Sequence, residues 1–173
     1  MRPELETERL ALREFVTDDA EFILELLNQP SFIQFIGDKG VRSVADAKKY
    51  IVTGPIESYQ RHGFGLYLVE LKDSKAPIGM CGLLKRESLP FVDLGFAFLP
   101  EYWGKGYAFE AASAVLDHAR EVLTLKRILA ITNPDNDASI NLLARLGFQF
   151  QRMMTMSGDS DEVKLFSVGL DTL

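Results

Sequence analysis

The stretch from Phe91 to Ala108 runs from an apolar segment through the turn Trp103-Gly-Lys-Gly-Tyr-Ala108 into a helix. A strand-to-helix junction of this kind aims the unpaired N–H groups of the first helical turn at one point, where the helix dipole adds partial positive charge. Gly104 and Gly106 let the main chain approach a ligand closely and Lys105 adds a full charge, so the junction is suited to a phosphate. A plain helix start with two turn glycines is the alternative reading. Two familiar phosphate-binding patterns do not fit. One needs a Ser or Thr hydroxyl where Gly106 stands, and Gly-x-Gly-x-x-Gly needs a third glycine where Phe109 stands.

The apolar run carries a second chemical signal. Strand alternation puts Asp93, Gly95, Ala97 and Leu99 on one face and Val92, Leu94, Phe96 and Phe98 on the other. Gly and Ala leave room for a ligand against the backbone. A carboxylate with no other ionisable group from Phe91 to Leu99 has its pKa raised by desolvation, which suits a general base. The alternative for Asp93 is a structural carboxylate bonded to a neighbouring turn or an Arg. Cys81, the only cysteine, lies in the apolar run Ile78 to Leu84 and reads as a small buried hydrophobe rather than a nucleophile. No internal disulfide can form, no local motif favours His62 or His118, and no His/Asp/Glu cluster shows ligand spacing, so no metal is expected.

The elements that must position these groups can be read from periodicity. Leu10 to Phe15 alternates like an edge strand, and Asp18 with Glu21 offers a capping box before Phe22, Ile23, Leu26 and Leu27 on one helical face. Ser43 to Arg61 is helical in composition but broken by Gly54-Pro55, which predicts two helices or one bent helix. Phe64 to Leu71, Ile78 to Leu84 and Phe91 to Leu99 form an antiparallel meander. The period then changes: Ala108, Ala111, Ala112, Val115, Ala119 and Val122 recur at helical spacing before a short strand, Arg127 to Thr132, which implies a parallel crossover. A helix from Asn136 to Leu146 follows, stopped by Gly147, and closing strands lie near Phe148 to Met156 and Glu162 to Leu170. The class is mixed α/β. Phe32, Phe35, Tyr50, Phe64 and Tyr67 stand near candidate pocket walls, though such aromatics are more often core. The acidic turn Gly158-Asp-Ser-Asp-Glu162 would draw a cationic amine or simply be solvated, and Met153, Met154 and Met156 read as packing.

With 173 residues, 47% apolar and 25% charged, the chain is one globular domain spanning residues 1–173. A net charge of -6 argues against direct nucleic-acid or anionic-membrane partners. No apolar run approaches the ~18 residues of a membrane span, and the first residues lack a signal-peptide pattern, so a cytoplasmic location is expected.

Trp103-Gly-Lys-Gly-Tyr-Ala108 resembles motif A of the GNAT N-acetyltransferases, Gln/Arg-x-x-Gly-x-Gly/Ala, which cradles the pyrophosphate of coenzyme A. With Trp103 in first place it is similar to the RimJ/RimL branch, the ribosomal-protein N-terminal acetyltransferases. Three further segments agree in order: Thr7-Glu-Arg-Leu-Ala-Leu-Arg13, Pro77-Ile-Gly-Met-Cys-Gly-Leu83, and Asn136-Asp-Ala-Ser-Ile-Asn-Leu-Leu-Ala-Arg-Leu-Gly-Phe148. The resemblance implies a mixed, mostly antiparallel sheet of six to seven strands, flanked by helices on both faces and splayed between strands four and five. It implies acetyl-CoA as co-substrate, with Trp103, Gly104, Lys105, Gly106, Tyr107 and Ala108 around its pyrophosphate. Backbone groups of Phe96, Ala97 and Phe98 would hold the thioester carbonyl and pantetheine, and Asn136 would bond the pantetheine. An acidic residue often occupies the position of Asp93. Many relatives carry a Tyr seven residues after the Asn to protonate the leaving thiolate; here that residue is Leu143, and Ser139 is the candidate acid instead. The implied activity is acetyl transfer to a primary amine, such as a protein N-terminal α-amine, by direct attack in a ternary complex. A small amine (polyamine, amino acid or aminoglycoside) and a non-catalytic acyl-CoA-binding module are the alternatives. Relatives are often homodimers.

Overall fold

The computed structural model describes residues 3–156, 158 and 161–172. Strands β1 (Leu5–Glu6) and β2 (Leu10–Arg13) lead into helices α1 (Ala20–Leu27), α2 (Pro30–Phe35), α3 (Val44–Ile51) and α4 (Glu57–His62). The meander β3 (Leu66–Leu71), β4 (Pro77–Leu84) and β5 (Asp93–Phe98) follows. Helix α5 (Tyr107–Glu121) crosses to β6 (Arg127–Thr132), and α6 (Asp137–Arg145), β7 (Gln149–Thr155) and β8 (Glu162–Gly169) complete the chain. The strands form one sheet in the order β1-β2-β3-β4-β5-β6-β8-β7. Among the described residues only β5 and β6 are parallel neighbours, as the change of period predicted. The sheet has eight strands rather than six or seven because Leu5–Glu6 adds a short edge strand, which moves the splay to strands five and six.

Each face of the sheet buries its own helices. On one, α5 sets the small residues Ala111, Ala112 and Ala119, with Val115 and Leu116, against Cys81, Leu94 and Ile128. On the other, Ile23, Leu26 and Leu27 of α1 and Ala47 and Ile51 of α3 pack on Leu68, Met80 and Ala97. The two faces of β5 divide as alternation required, Leu94 and Phe98 toward α5 and Ala97 and Leu99 toward α1.

Three local features depart from expectation or refine it. The start of α1 is fixed by Asp19, not by an Asp18–Glu21 box. Its carboxylate accepts from Val16 N at 2.9 Å and from both terminal nitrogens of Arg13 at 2.8 and 2.9 Å. Helix α2 has no counterpart in the periodicity reading; Pro30 opens it, where the missing N–H costs nothing. Between α3 and α4 the chain stays helical but widens into a π turn at Val52–Ile56 around Pro55, which cannot donate to the ordinary ladder. Among the described residues no helix is long and apolar enough to cross a membrane.

Candidate functional site

Strands β5 and β6 touch at one point and then part. Asp93 is the only β5 residue in register with β6, opposite Leu129, and the bond from Leu129 N to Val92 O (2.9 Å) closes the apex of the gap. Alternation of the antiparallel ladder decides which backbone groups face that gap. Leu99 N donates to Ile78 O of β4, so Ala97 and Gly95 spend their backbone groups on β4 as well. Those of Phe96 and Phe98 therefore point into the gap. Of the three positions expected to hold a thioester by the backbone, Phe96 and Phe98 present free N–H groups, and Ala97 contributes a small side chain instead. The Phe98 carbonyl is already used by the Trp103 indole N–H at 2.9 Å.

That indole bond anchors the turn that follows. Gly104 and Gly106 adopt φ of 75° and 82°, a left-handed region that other residues enter at a cost. Gly106 is the residue before α5 and offers no side-chain cap, and Glu110 N is the first helical amide to find an acceptor, Gly106 O at 3.0 Å. The amides of Tyr107, Ala108 and Phe109 are thus left without helical partners, the arrangement that binds anions. Lys105 projects to solvent beside the Tyr102 ring, 5.9 Å from its centroid.

A cavity of about 630 Å³ joins these groups. Phe96, Ala97, Phe98, Trp103, Gly104, Gly106, Tyr107 and Ala108 line one side, and Asn136 and Ser139 of the α6 start line the other. Lys105 is not among the lining residues. Asn136 caps α6 by accepting from Ser139 N at 3.2 Å through Oδ1, which leaves its Nδ2 to donate to a ligand. The Ser139 hydroxyl is half-buried and has no partner among the described residues. Leu143 is fully buried in the core, so nothing on that turn replaces the tyrosine.

Sequence reasoning did not single out Arg145, which lies over the Phe109 ring at 4.5 Å and brings a cation to the cavity lining, where Lys105 does not reach. Its signal was the helical spacing Ser139, Leu142, Arg145, which puts all three on one face. Helices α1 and α2 close the cavity with Leu26, Phe32 and Phe35. Of the aromatics considered as walls, Phe32 and Phe35 line it, whereas Phe64 and Tyr67 belong to the α5 core, with Tyr67 stacked on Tyr59. Tyr50 lines a separate, smaller hollow beside Pro55 and Leu84. Within the acidic turn, Asp159 and Ser160 lie outside the described residues. Met154 and Met156 pack beside Leu129 and Leu165. Cys81 is fully buried, its thiol pushed up by desolvation. Among the described residues no three His, Cys, Asp or Glu side chains gather as metal ligands.

Asp93 stands apart from the cavity lining. It is 1% exposed, and both its oxygens accept from Arg86 Nε at 3.1 and 3.2 Å, the arginine pairing that formed its structural alternative. Burial pushes its pKa up to about 6, against the pull of the Arg86 charge. Along the strand it lies about 13 Å from Ala97, at roughly 3.3 Å per residue. That separation keeps Asp93 out of direct contact with a group bound between Phe96 and Ser139.

The acetyltransferase (GNAT) domain family matches residues 9–149. An N-acetyltransferase of Bacillus subtilis strain 168, YoaA, is 30% identical over 173 residues, covering 97% of both chains. The ribosomal protein uS5 alanine N-acetyltransferase of Escherichia coli K12 is 32% identical over 99 residues, 56% of this chain and 51% of its own. Among solved structures, the RimL ribosomal L7/L12 α-N-protein acetyltransferase in complex with coenzyme A superposes with a TM-score of 0.79 at 18% identity. That match covers 96% of this chain and 97% of the other.

Proposed function

The chain belongs to the GNAT acetyltransferase family and is an N-acetyltransferase, and from that premise we propose that it moves acetyl from acetyl-CoA to a protein N-terminal α-amine by direct attack in a ternary complex. The observation that carries the reading is the continuity of one cavity. It starts at the free amides of Tyr107, Ala108 and Phe109, just after the Gly104–Gly106 turn, and runs to the unpaired β5 edge at Phe96 and Phe98. A pyrophosphate at the turn and a thioester at the edge would occupy the two ends of one extended ligand, with Asn136 Nδ2 bonding the pantetheine between them.

Each step then has a group to serve it. The N–H groups of Phe96 and Phe98 stabilise the oxyanion that forms as the amine attacks the thioester carbon. The amine proton passes through water to Asp93, whose carboxylate with a pKa near 6 is mostly ionised at neutral pH. Collapse of the tetrahedral intermediate expels the CoA thiolate, which takes a proton from the Ser139 hydroxyl; solvent then restores that proton. No covalent enzyme intermediate is needed, because positioning both reactants in the cleft supplies the advantage of an intramolecular reaction. We place the reaction in the cytoplasm.

Thiol release from acetyl-CoA, followed against N-terminal peptides, polyamines, amino acids and aminoglycosides, tests the proposal. Release with peptides alone supports an α-amine acceptor. Release with a small amine alone replaces the acceptor and keeps the chemistry. CoA binding without release from any of them would mean a binding module.

A further inference from the structure

The turn proposed to hold the pyrophosphate is itself held from behind, by residues far away in the chain. Arg9, in the turn between β1 and β2, donates from Nη1 to the Lys105 carbonyl at 3.0 Å. Its Nε donates to Glu110 Oε1 at 2.7 Å and its backbone N to Glu110 Oε2 at 2.9 Å, while Thr7 Oγ1 donates to that same Oε2. The guanidinium covers the Tyr107 ring at 4.4 Å. A Cβ added at Gly106 would come within 3.3 Å of Arg9 Nη2, so the guanidinium sits close against this glycine, whose φ already disfavours other residues. Burial alone would raise the Glu110 pKa, but the donors from Thr7 and Arg9 carry it below the ordinary carboxylate value, and it stays ionised. The Arg9 turn is fastened in its own right: Lys72 Nζ donates to Thr7 O at 3.0 Å and Lys72 N to Arg9 O at 2.9 Å.

We propose that the Arg9–Glu110 pair is a positioning clamp that presets the Gly104–Gly106 turn for the coenzyme pyrophosphate. The inference rests on the reading of that turn given above. Its logic is the planarity of the peptide unit: the carbonyl of one residue and the N–H of the next point in opposite directions. With the Lys105 carbonyl fixed toward Arg9, the Gly106 N–H is aimed the other way, away from the clamp. A turn flanked by two left-handed glycines would otherwise rotate that peptide freely. Helix α5 does not depend on the clamp for its place, since Ala111, Ala112, Val115, Leu116 and Ala119 are buried beneath it. Arg9 keeps a 42% exposed side chain, and so exposed an ion pair contributes little to stability. Arg9 and Glu110 are thus positioning residues.

The test measures binding of CoA and of pantetheine, which lacks the pyrophosphate, to the full chain by calorimetry. The variants are Arg9→Ala, Arg9→Lys and Glu110→Gln, with thermal unfolding recorded for each. Arg9→Ala is expected to weaken CoA binding about tenfold or more, the scale of one lost charge-assisted hydrogen bond. Pantetheine binding and the unfolding midpoint should stay close to the unaltered protein. Arg9→Lys keeps the charge but cannot reach Glu110 and the Lys105 carbonyl together, so it should not restore affinity. Full restoration by Lys would overturn the clamp in favour of simple charge attraction, and equal losses for CoA and pantetheine would make the pair merely structural. If Arg9→Ala fails to fold, Glu110→Gln, which keeps one acceptor for Arg9 Nε but cannot also accept from Arg9 N and Thr7 Oγ1 and so loosens the hold on Arg9, carries the same comparison. Unaltered protein that binds no CoA would sink the reading of the turn itself, a result distinct from failure of the clamp.

Discussion

At the scale of residues, the site separates the proposed proton acceptor from the groups proposed to hold the reacting thioester. Asp93 sits at the closed apex of the β5–β6 gap and Phe96 and Phe98 along its open length. If Asp93 is the terminal base, kcat/KM should rise with pH through an apparent pKa near 6. Asp93→Asn should remove that limb and lower turnover by about 10²-fold or more while CoA binds as before. The same residue predicts a stability signature. Its folded pKa of about 6 exceeds the ~3.9 of an unfolded Asp, so the folded state binds the proton more tightly. Its contribution is full below about pH 4 and is lost as pH rises through 6, and thermal scans should show that decline flattened in Asp93→Asn. Turnover that is unchanged in Asp93→Asn would leave the carboxylate with the structural role that its Arg86 bonds already supply. Ser139→Ala isolates the acid: turnover should fall about tenfold or more with thiol-ester substrates, least where the leaving thiol is most acidic, and CoA affinity should hold because Asn136 still caps α6 through the Ser139 amide.

Elements place these groups, and here sequence and structure can be compared step by step. Residues whose role follows from local backbone chemistry were legible: the turn glycines at 104 and 106, the helix start at Asn136, the faces of β5 and the break at Pro55. What depends on distant partners was not. Arg86, seven residues from Asp93, fits the arginine alternative read from the sequence, whereas nothing near Lys105 announces Arg9, which is separated from it by most of the sheet in sequence. Helix α2 escaped because its six residues are too few to show a period. A glycine whose role is close approach is equally silent in sequence. A Cβ at Gly79 of β4 would meet the Ala97 carbonyl oxygen and the Phe98 ring at 2.5 Å, so β5 is seated against bare backbone where it faces the cavity. Gly79→Ala should therefore push β5 outward, costing about 1 to 3 kcal/mol in denaturant unfolding and weakening CoA binding with it. Gly54, with open space around its Cα, is the control: Gly54→Ala should lie within about 0.5 kcal/mol of the unaltered protein.

For the whole molecule, the splay divides the sheet into β1 to β5 on one side and β6 to β8 on the other, joined within the sheet by the single register point at Asp93. Beyond it the β5 edge resembles the exposed edge of an incomplete sheet, with the N–H groups of Phe96 and Phe98 unpaired toward β6. A pantetheine arm laid in the gap would satisfy them as a missing strand does, and on the proposed reading Asn136 across the gap would bind the same arm. Coenzyme binding should thus behave as completion of the sheet. Amide hydrogen exchange should slow at Phe96 and Phe98 on adding CoA, and change little at Ala97, whose N–H is already committed to β4. Because a ligand so placed would bridge both parts of the sheet, the whole domain should respond. At CoA one hundredfold above its Kd the stabilisation is about 2.7 kcal/mol. For a domain of this size each kcal/mol moves the midpoint by roughly 2 to 4 °C, so Tm should rise by about 5 to 11 °C. Protection confined to the Gly104–Gly106 turn, with Phe96 and Phe98 exchanging as before, would mean that the coenzyme is held by its phosphates alone and that its thioester is not seated on β5.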